Sequence, residues 1–376
     1  MPVKVATLKE LASGEARVAL VPETATKFLK LKVELLLQDN AGVSAFFANS
    51  AYVGVQIIKT AQELLRQGDI ILKVQAPTEK EIESLRPGTL VVAFMQAHLY
   101  PKRIALLRDR GINSLAMELV PRISRAQSMD ALSSQASLAG YKAALLAANR
   151  LGQFFPMLTT AAGTLRPARV LVIGAGVAGL QAIATCKRLG AVVEAYDVRG
   201  ATKEQVESLG AKFVSAPLNA EGAGGYAREL SEAEKQQQQD LLAHHLSLAN
   251  VVITTAAIPG RPSPKLISEA MVQSMRPGSV IIDLAAEGGG NCVLSQPGEC
   301  VERHGVFIDA PLNLASQLPV HASEMYAKNL FNLLQPMIKD GELTMNWDDE
   351  VIRGCTLTRD GKILHEPTRL IVEGAQ

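Results

Sequence analysis

The chain has 376 residues, 48% of them hydrophobic and 20% charged, with 38 Lys and Arg against 37 Asp and Glu. That length fits two domains of ordinary size, and a net charge of +1 excludes the electrostatic footprint of a nucleic-acid or anionic-membrane binder. Cys186, Cys292, Cys300 and Cys355 form no CxxC pair. Cys300 and His304 have no second pair to complete a metal site, so the thiols read as unpaired in a reducing compartment and no metal is expected. The N-terminus lacks a basic region followed by an apolar core, and no apolar run reaches the roughly 18 residues that a membrane helix needs. A cytoplasmic chain without a membrane span is expected.

The elements begin with a strand over Val3–Leu8, a helix over Thr24–Leu31 and a strand over Val33–Gln38. Asp69–Val74 reads as a strand, Thr78–Leu85 as a helix, Leu90–Met95 as a strand, Pro101–Arg110 as a helix and Asn113–Met117 as a strand. This alternation predicts a parallel sheet with helices on both faces. Arg17, in a loop after a strand, can clamp a carboxylate through its fork, and Lys73 lies near a strand end, where such folds place ligand groups. Together they suggest a keto-acid site, against the alternative of a surface Arg and a strand-end Lys. His98, after Leu90–Met95, is a general acid/base candidate.

The polar segment Pro121–Asp130 carries Arg122, Gln127 and Asp130 close together, with Ser128 or Asp130 as N-cap of the Ala- and Leu-rich helix Met129–Leu151. A second series of strands follows at Arg169–Ile173, Val192–Tyr196, Lys212–Val214, Val251–Thr255, Val280–Leu284 and Val306–Ile308. Between them, Pro217–Asp240 reads as a loop and then a solvated helix through Gln236–Gln239. Beyond Asn313, Ala322–Met337 is an amphipathic helix, and Leu343–Glu373 holds short strands around the Asp360-Gly361 turn.

Strand Arg169–Ile173 runs into Gly174-Ala-Gly176-Val177-Ala-Gly179 and then a helix through Leu189. Gly174 permits the tight turn, Gly176 a close approach of backbone to a pyrophosphate, and Gly179 close packing of helix on strand. The next strand ends in Asp197, 18 residues after Gly179. A carboxylate there accepts ribose hydroxyls and repels a 2′-phosphate, so NAD(H) is favoured over NADP(H). Arg199 reads as packing near the adenine or pairing locally. The expected fold class is α/β, with two doubly wound Rossmann-like domains, the second (130–312) inserted into a discontinuous first (1–129 plus 313–376).

Pro121–Asp130, Gly174–Ala184, Thr254–Gly260, Gly278–Ala285 and Gly289–Cys292 resemble the NAD(H)-binding component, domain I, of proton-translocating NAD(P) transhydrogenase. The likeness runs from the Arg17 segment to near Arg353. It implies that NADH on this chain passes hydride directly to NADP⁺ on a separate domain III, while a membrane domain couples the exchange to proton movement. One fingerprint and no membrane span point to the split form, with NADP(H) and the proton channel on partner subunits. Such a chain would sit peripherally at the inner membrane, and the family suggests a homodimer.

By the same resemblance, Arg122, Gln127 and Asp130 contact the nicotinamide end, and Ser133 contacts the carboxamide region. Val177 and Asp197, Val198 and Arg199 hold pyrophosphate and adenosine, and Gly225 and Tyr226 match a loop that closes over the nucleotide. Gln238 and Ala257 fall on further contact positions. The Leu common at the position of Ala257 is absent, which leaves a backbone contact there. Alanine dehydrogenase shares the Arg17 and Lys73 features, but its His after the strand is matched here by Gln96, with His98 two residues late. A NAD-sensing module without turnover is the remaining alternative.

Overall fold

A computed structural model describes residues 2–215, 231–257 and 262–374. It divides into two compact units, Met1–Gln135 with Ser316–Gln376, and Ala136–Ala315.

The first unit is built on an eight-stranded sheet. Its spatial order is Lys362–Ile363, Thr356–Arg359, Asn113–Ala116, Leu90–Ala93, Ile70–Leu72, Lys4–Thr7, Glu34–Gln38 and Gln56–Ile58. The six strands from Asn113–Ala116 to Gln56–Ile58 are parallel, and chain order reverses beside Lys4–Thr7, which is the doubly wound pattern. Successive side chains alternate between two cores. Val5, Ile70 and Leu72 enter one, and Ala6 and Ile71 the other, so both faces are covered. Pro22, Pro101 and Pro319 open helices at their first positions, where a missing N–H costs nothing. Thr78 and Glu81 form a capping box on Glu79–Glu83.

The tail from Ser316 onward belongs to this unit. Asp360 and Gly361 both have positive φ, the geometry of a tight hairpin turn, and the hairpin adds two antiparallel strands beside Asn113–Ala116. The Ser114 and Thr358 hydroxyls meet at 2.7 Å across that seam.

The second unit has a seven-stranded sheet in the order Lys212–Phe213, Val192–Tyr196, Arg169–Ile173, Val251–Thr254, Val280–Asp283, Val306–Asp309 and Cys300–Arg303. All are parallel except Cys300–Arg303, an antiparallel edge that the sequence pattern does not announce. Val170 and Val172 face one core, and Leu171 and Ile173 the other.

The expected breaks at 129/130 and 312/313 differ from the divide seen here. The first turn of helix Ala131–Arg150 stays with the first unit because its polar groups bond there. The Ser134 hydroxyl donates to Asn329 at 2.7 Å, and Gln135 accepts from Arg17 and donates to the Ala322 carbonyl. Further elements have no sequence signal. Gln56–Ile58, Ala61–Gln67 and the hairpin of Leu158–Thr160 with Gly163–Leu165 are too short or too polar to show a period. Among the described residues, no helix is long and apolar enough to cross a membrane.

Candidate functional site

In the second unit, chain order reverses between Arg169–Ile173 and Val251–Thr254, the place where open α/β sheets bind ligands beyond the strand ends. The glycine turn stands there. Gly174 has φ +98°, and its N–H donates to the Tyr196 carbonyl at 2.8 Å. Gly176 is the N-cap of helix Val177–Arg188, with Val177 half-exposed beside it. An added methyl on Gly176 would meet nothing within 4 Å, whereas on Gly179 it would collide with the Gly174 carbonyl. Open space before a helix N-terminus, with unpaired N–H groups and a positive dipole end, fits a pyrophosphate.

Asp197, Val198 and Arg199 follow the neighbouring strand. The Asp197 side chain is 5% exposed. Its Oδ2 accepts the Ala175 N–H of the glycine turn at 2.8 Å, which ties the strand end to the fingerprint. Arg199 pairs locally. Its backbone N–H and Nε donate to Oδ1, each at 2.9 Å, and its Nη2 donates to Oδ2 at 2.7 Å. Val198 packs on the core below.

Gln238 lies on helix Glu232–Leu248, but the expected solvated face is wrong at this position. Its side chain is buried and donates to the Tyr196 hydroxyl at 3.1 Å, beneath the strand that delivers Asp197. Burial pushes the Tyr196 phenol above its ordinary range, partly offset by that bond. A run of four glutamines gives no sign of which one turns inward. Ala257 is exposed, just beyond Val251–Thr254. The loop it belongs to is held by Asn291, whose side chain accepts the Ala256 N–H at 3.1 Å and donates to the carbonyls of Ala256 and Pro264. Asn291 is supported in turn by buried Asp283, which accepts the N–H groups of Asn291 and Cys292 and the hydroxyls of Thr254 and Ser295. Sequence reasoning missed both support residues, although each lies in a segment that carries the resemblance. Gly225 and Tyr226 lie outside the described residues.

The other expected site residues belong to the first unit. Ser124–Met129 is a 3₁₀ helix, so positions three apart share a face. Ile123, Ala126 and Met129 pack into the core, leaving Arg122 and Gln127 exposed. The Ser128 carbonyl accepts from Asn329 and Asn332, and Arg125 pairs with Asp349, so the loop is fastened on both sides. Asp130 is the N-cap of the long helix. It accepts the Ser133 N–H at 2.9 Å and the Ser133 hydroxyl at 2.6 Å.

Arg17 and Lys73 are not surface groups. Arg17 is 5% exposed, and its guanidinium bonds both oxygens of Glu15 and the Gln135 carbonyl oxygen. Buried Lys73 pairs with Glu81 at 3.2 Å and Glu10 at 3.4 Å. Burial pushes the Glu15 carboxyl up, but the bonds and charge of Arg17, aided by Gln75, outweigh it and hold the pKa at about 2. A depressed pKa stabilises the fold above the unfolded value and is lost as pH falls through the folded one. Glu15 should therefore contribute on the order of 2–3 kcal/mol near neutral pH, lost as pH drops from about 4.5 towards 2. Urea midpoints followed against pH should fall more steeply in the wild type than in Glu15→Gln; parallel curves would refute this. His98 is exposed.

Residues 6–139 match the family described as alanine dehydrogenase/PNT, N-terminal domain, and residues 143–366 match its C-terminal domain. The chain is 48% identical to an NAD(P) transhydrogenase subunit alpha chain of Rhodospirillum rubrum, with 96% of this chain and 98% of the relative covered. The chain belongs to the NAD(P) transhydrogenase alpha-subunit family. Within that family, a transhydrogenase structure from Sinorhizobium meliloti superposes with a TM-score of 0.88 at 42% identity, covering 96% of this chain and 99% of that one. Alanine dehydrogenase is a more distant relation. The Bacillus subtilis protein is 25% identical over 95% of this chain and 92% of its own length. An L-alanine dehydrogenase structure shares the fold at a TM-score of 0.83 and 21% identity, covering 99% of each chain.

Proposed function

We propose that this chain is the NAD(H)-holding subunit of a proton-translocating transhydrogenase. It exchanges hydride directly between NAD(H) on this chain and NADP(H) on a partner subunit, and membrane subunits couple the exchange to proton movement and hold the chain at a membrane. The observation that carries the reading is the fingerprint turn at the reversal point, open at Gly176 and tied to Asp197 through Ala175. The family relationship narrows a general dinucleotide site to this reaction.

When bound, NAD(H) supplies or receives the hydride. Gly174, Gly176, Gly179 and Val177 would seat the pyrophosphate at the helix N-terminus. Asp197, Val198 and Arg199 would hold the adenosine, with Gln238 and Ala257 as further contacts and Gly225 and Tyr226 closing over it. Arg122, Gln127, Asp130 and Ser133 would orient the nicotinamide end. Hydride exchange between two nicotinamides releases no proton, so the work of these residues is positioning and exclusion of water rather than acid–base chemistry. An exposed His98 is consistent with that.

The deciding experiment mixes the chain with an NADP-binding partner domain and follows NADH-dependent reduction of an NADP analogue. Turnover is expected; NADH binding without turnover would leave a sensor. Pyruvate, ammonia and NADH with this chain should give no NADH oxidation. Oxidation there would favour alanine dehydrogenase, for which Arg17 and Lys73 are poorly disposed because Glu15, Glu10 and Glu81 already engage them.

A homodimer belongs to the same proposal. The hairpin Leu158–Thr160 with Gly163–Leu165 pairs only with itself and exposes Met157, Leu158 and Leu165, with Phe154 nearby in the chain. Two isolated strands are marginal in water, so an apolar hairpin of this kind fits against a second copy. Leu158→Glu with Leu165→Glu should turn the dimer into a monomer by light scattering with an unchanged circular dichroism spectrum. A variant that stays dimeric would remove the hairpin from the interface.

A further inference from the structure

The Asp197 carboxylate accepts four hydrogen bonds, one from Ala175 and three from Arg199. A carboxylate offers about four acceptor positions, so none is left over for a ribose hydroxyl while Arg199 stays in place. Arg199 is partly exposed, at 22% of its side chain, while Asp197 is nearly closed off at 5%. The arginine can therefore turn outward into water, and the carboxylate cannot.

This asymmetry treats the two nucleotides differently. A ribose 2′-hydroxyl is a donor and can replace a guanidinium N–H on Asp197, so the buried carboxylate stays satisfied. A 2′-phosphate has only acceptors. To meet it, Arg199 would have to leave Asp197, stranding a buried carboxylate beside a dianion, and removing a partner from a buried charge is strongly unfavourable. Arg199 has the fork that binds phosphate oxygens well, but the neighbouring carboxylate holds it.

We infer that Asp197 sets the nucleotide preference by sequestering Arg199 as well as by meeting the ribose, so that the chain carries a latent 2′-phosphate site which loss of the Asp197 charge uncovers. This rests on the reading of the site as one for NAD(H). It goes beyond it in assigning Arg199 a role that the wild-type chain suppresses.

The test uses the full chain and compares wild type, Asp197→Asn, Asp197→Ser and each of these combined with Arg199→Met. Asp197→Asn retains an oxygen for the Ala175 N–H, and Asp197→Ser covers the case in which it fails to fold. NADH and NADPH affinities are read by titrating nicotinamide fluorescence, and 5′-AMP against 2′-AMP by calorimetry. In the single variants NADPH and 2′-AMP should bind at least about tenfold more tightly than to wild type and NADH about tenfold more weakly, each a change of roughly one charge-assisted hydrogen bond. Adding Arg199→Met should abolish the NADPH gain. A gain that survives Arg199→Met would mean simple relief of charge repulsion and would overturn the inference, as would no gain in either single variant. Wild type that fails to bind NADH would instead overturn the NAD(H) reading itself, and the inference with it.

Discussion

Gly179→Ala should destabilise the second unit and weaken NADH binding together, whereas Gly176→Ala should weaken NADH binding and leave stability alone. The two glycines lie three residues apart in one fingerprint, but they face different surroundings. A methyl on Gly179 collides with the Gly174 carbonyl and sits close to the Thr255 hydroxyl, which itself donates to that carbonyl at 3.0 Å. The obstacle is backbone, so helix Val177–Arg188 must lift from strand Arg169–Ile173, an overpacking cost of about 1–3 kcal/mol or more. Displacing the helix N-terminus also misdirects the N–H groups that would face the pyrophosphate. Gly176 has an ordinary negative φ and open space around it, so alanine is conformationally acceptable there. Its methyl would stand where the phosphate must approach. Thermal unfolding separates the two variants, and a Gly176→Ala protein with wild-type NADH affinity would refute the assignment of that space to the cofactor.

Gln127→Asn should slow hydride transfer by about 100-fold while NADH affinity changes by no more than about threefold, because transfer depends on ring placement to within an ångström and binding does not. Gln127 is exposed on a 3₁₀ turn whose opposite face is anchored by Ile123, Ala126 and Met129. Shortening its side chain by one methylene therefore leaves the backbone where it is and withdraws only the amide. Single-turnover transfer to an NADP-binding partner domain gives the rate, and fluorescence titration gives the affinity. Equal losses in both would make Gln127 a binding residue and sink its proposed positioning role. Ser133→Ala is a useful contrast. Its hydroxyl is bonded to the capping carboxylate of Asp130, so its loss should also loosen the start of the long helix, by roughly the 0.5–2 kcal/mol that cap contacts carry.

The legibility of each feature followed the sequence distance over which it is decided. The strand–glycine–helix fingerprint is a local structure. Strand Arg169–Ile173, the positive φ of Gly174 and the helix start at Gly176 are settled among near neighbours by steric rules that any sequence obeys. The apolar runs of the parallel strands were equally plain, since both their faces are buried and no polar alternation dilutes them. The short edge strand Gln56–Ile58 and the hairpin around Ala162 were not, because they owe their pairing to a neighbour rather than to a pattern of their own.

What the sequence by itself determined, then, was the doubly wound class of both units, the location of the dinucleotide fingerprint and the presence of an acidic group at the end of the following strand. What only the tertiary structure decided was the state of those groups. Asp197 reads as a free acceptor in the sequence, but in the fold it is saturated by Ala175 and Arg199. Gln238 reads as solvated, but it is buried against Tyr196. Arg17 and Lys73 read as a pair of open cations, but Glu15, Glu10 and Glu81 hold them. Backbone preferences act between near neighbours and can be read from order alone. Hydrogen-bond and ion-pair occupancy depends on which groups arrive within about 3 Å of one another, and for all but the nearest neighbours that is fixed only when the chain has closed on itself.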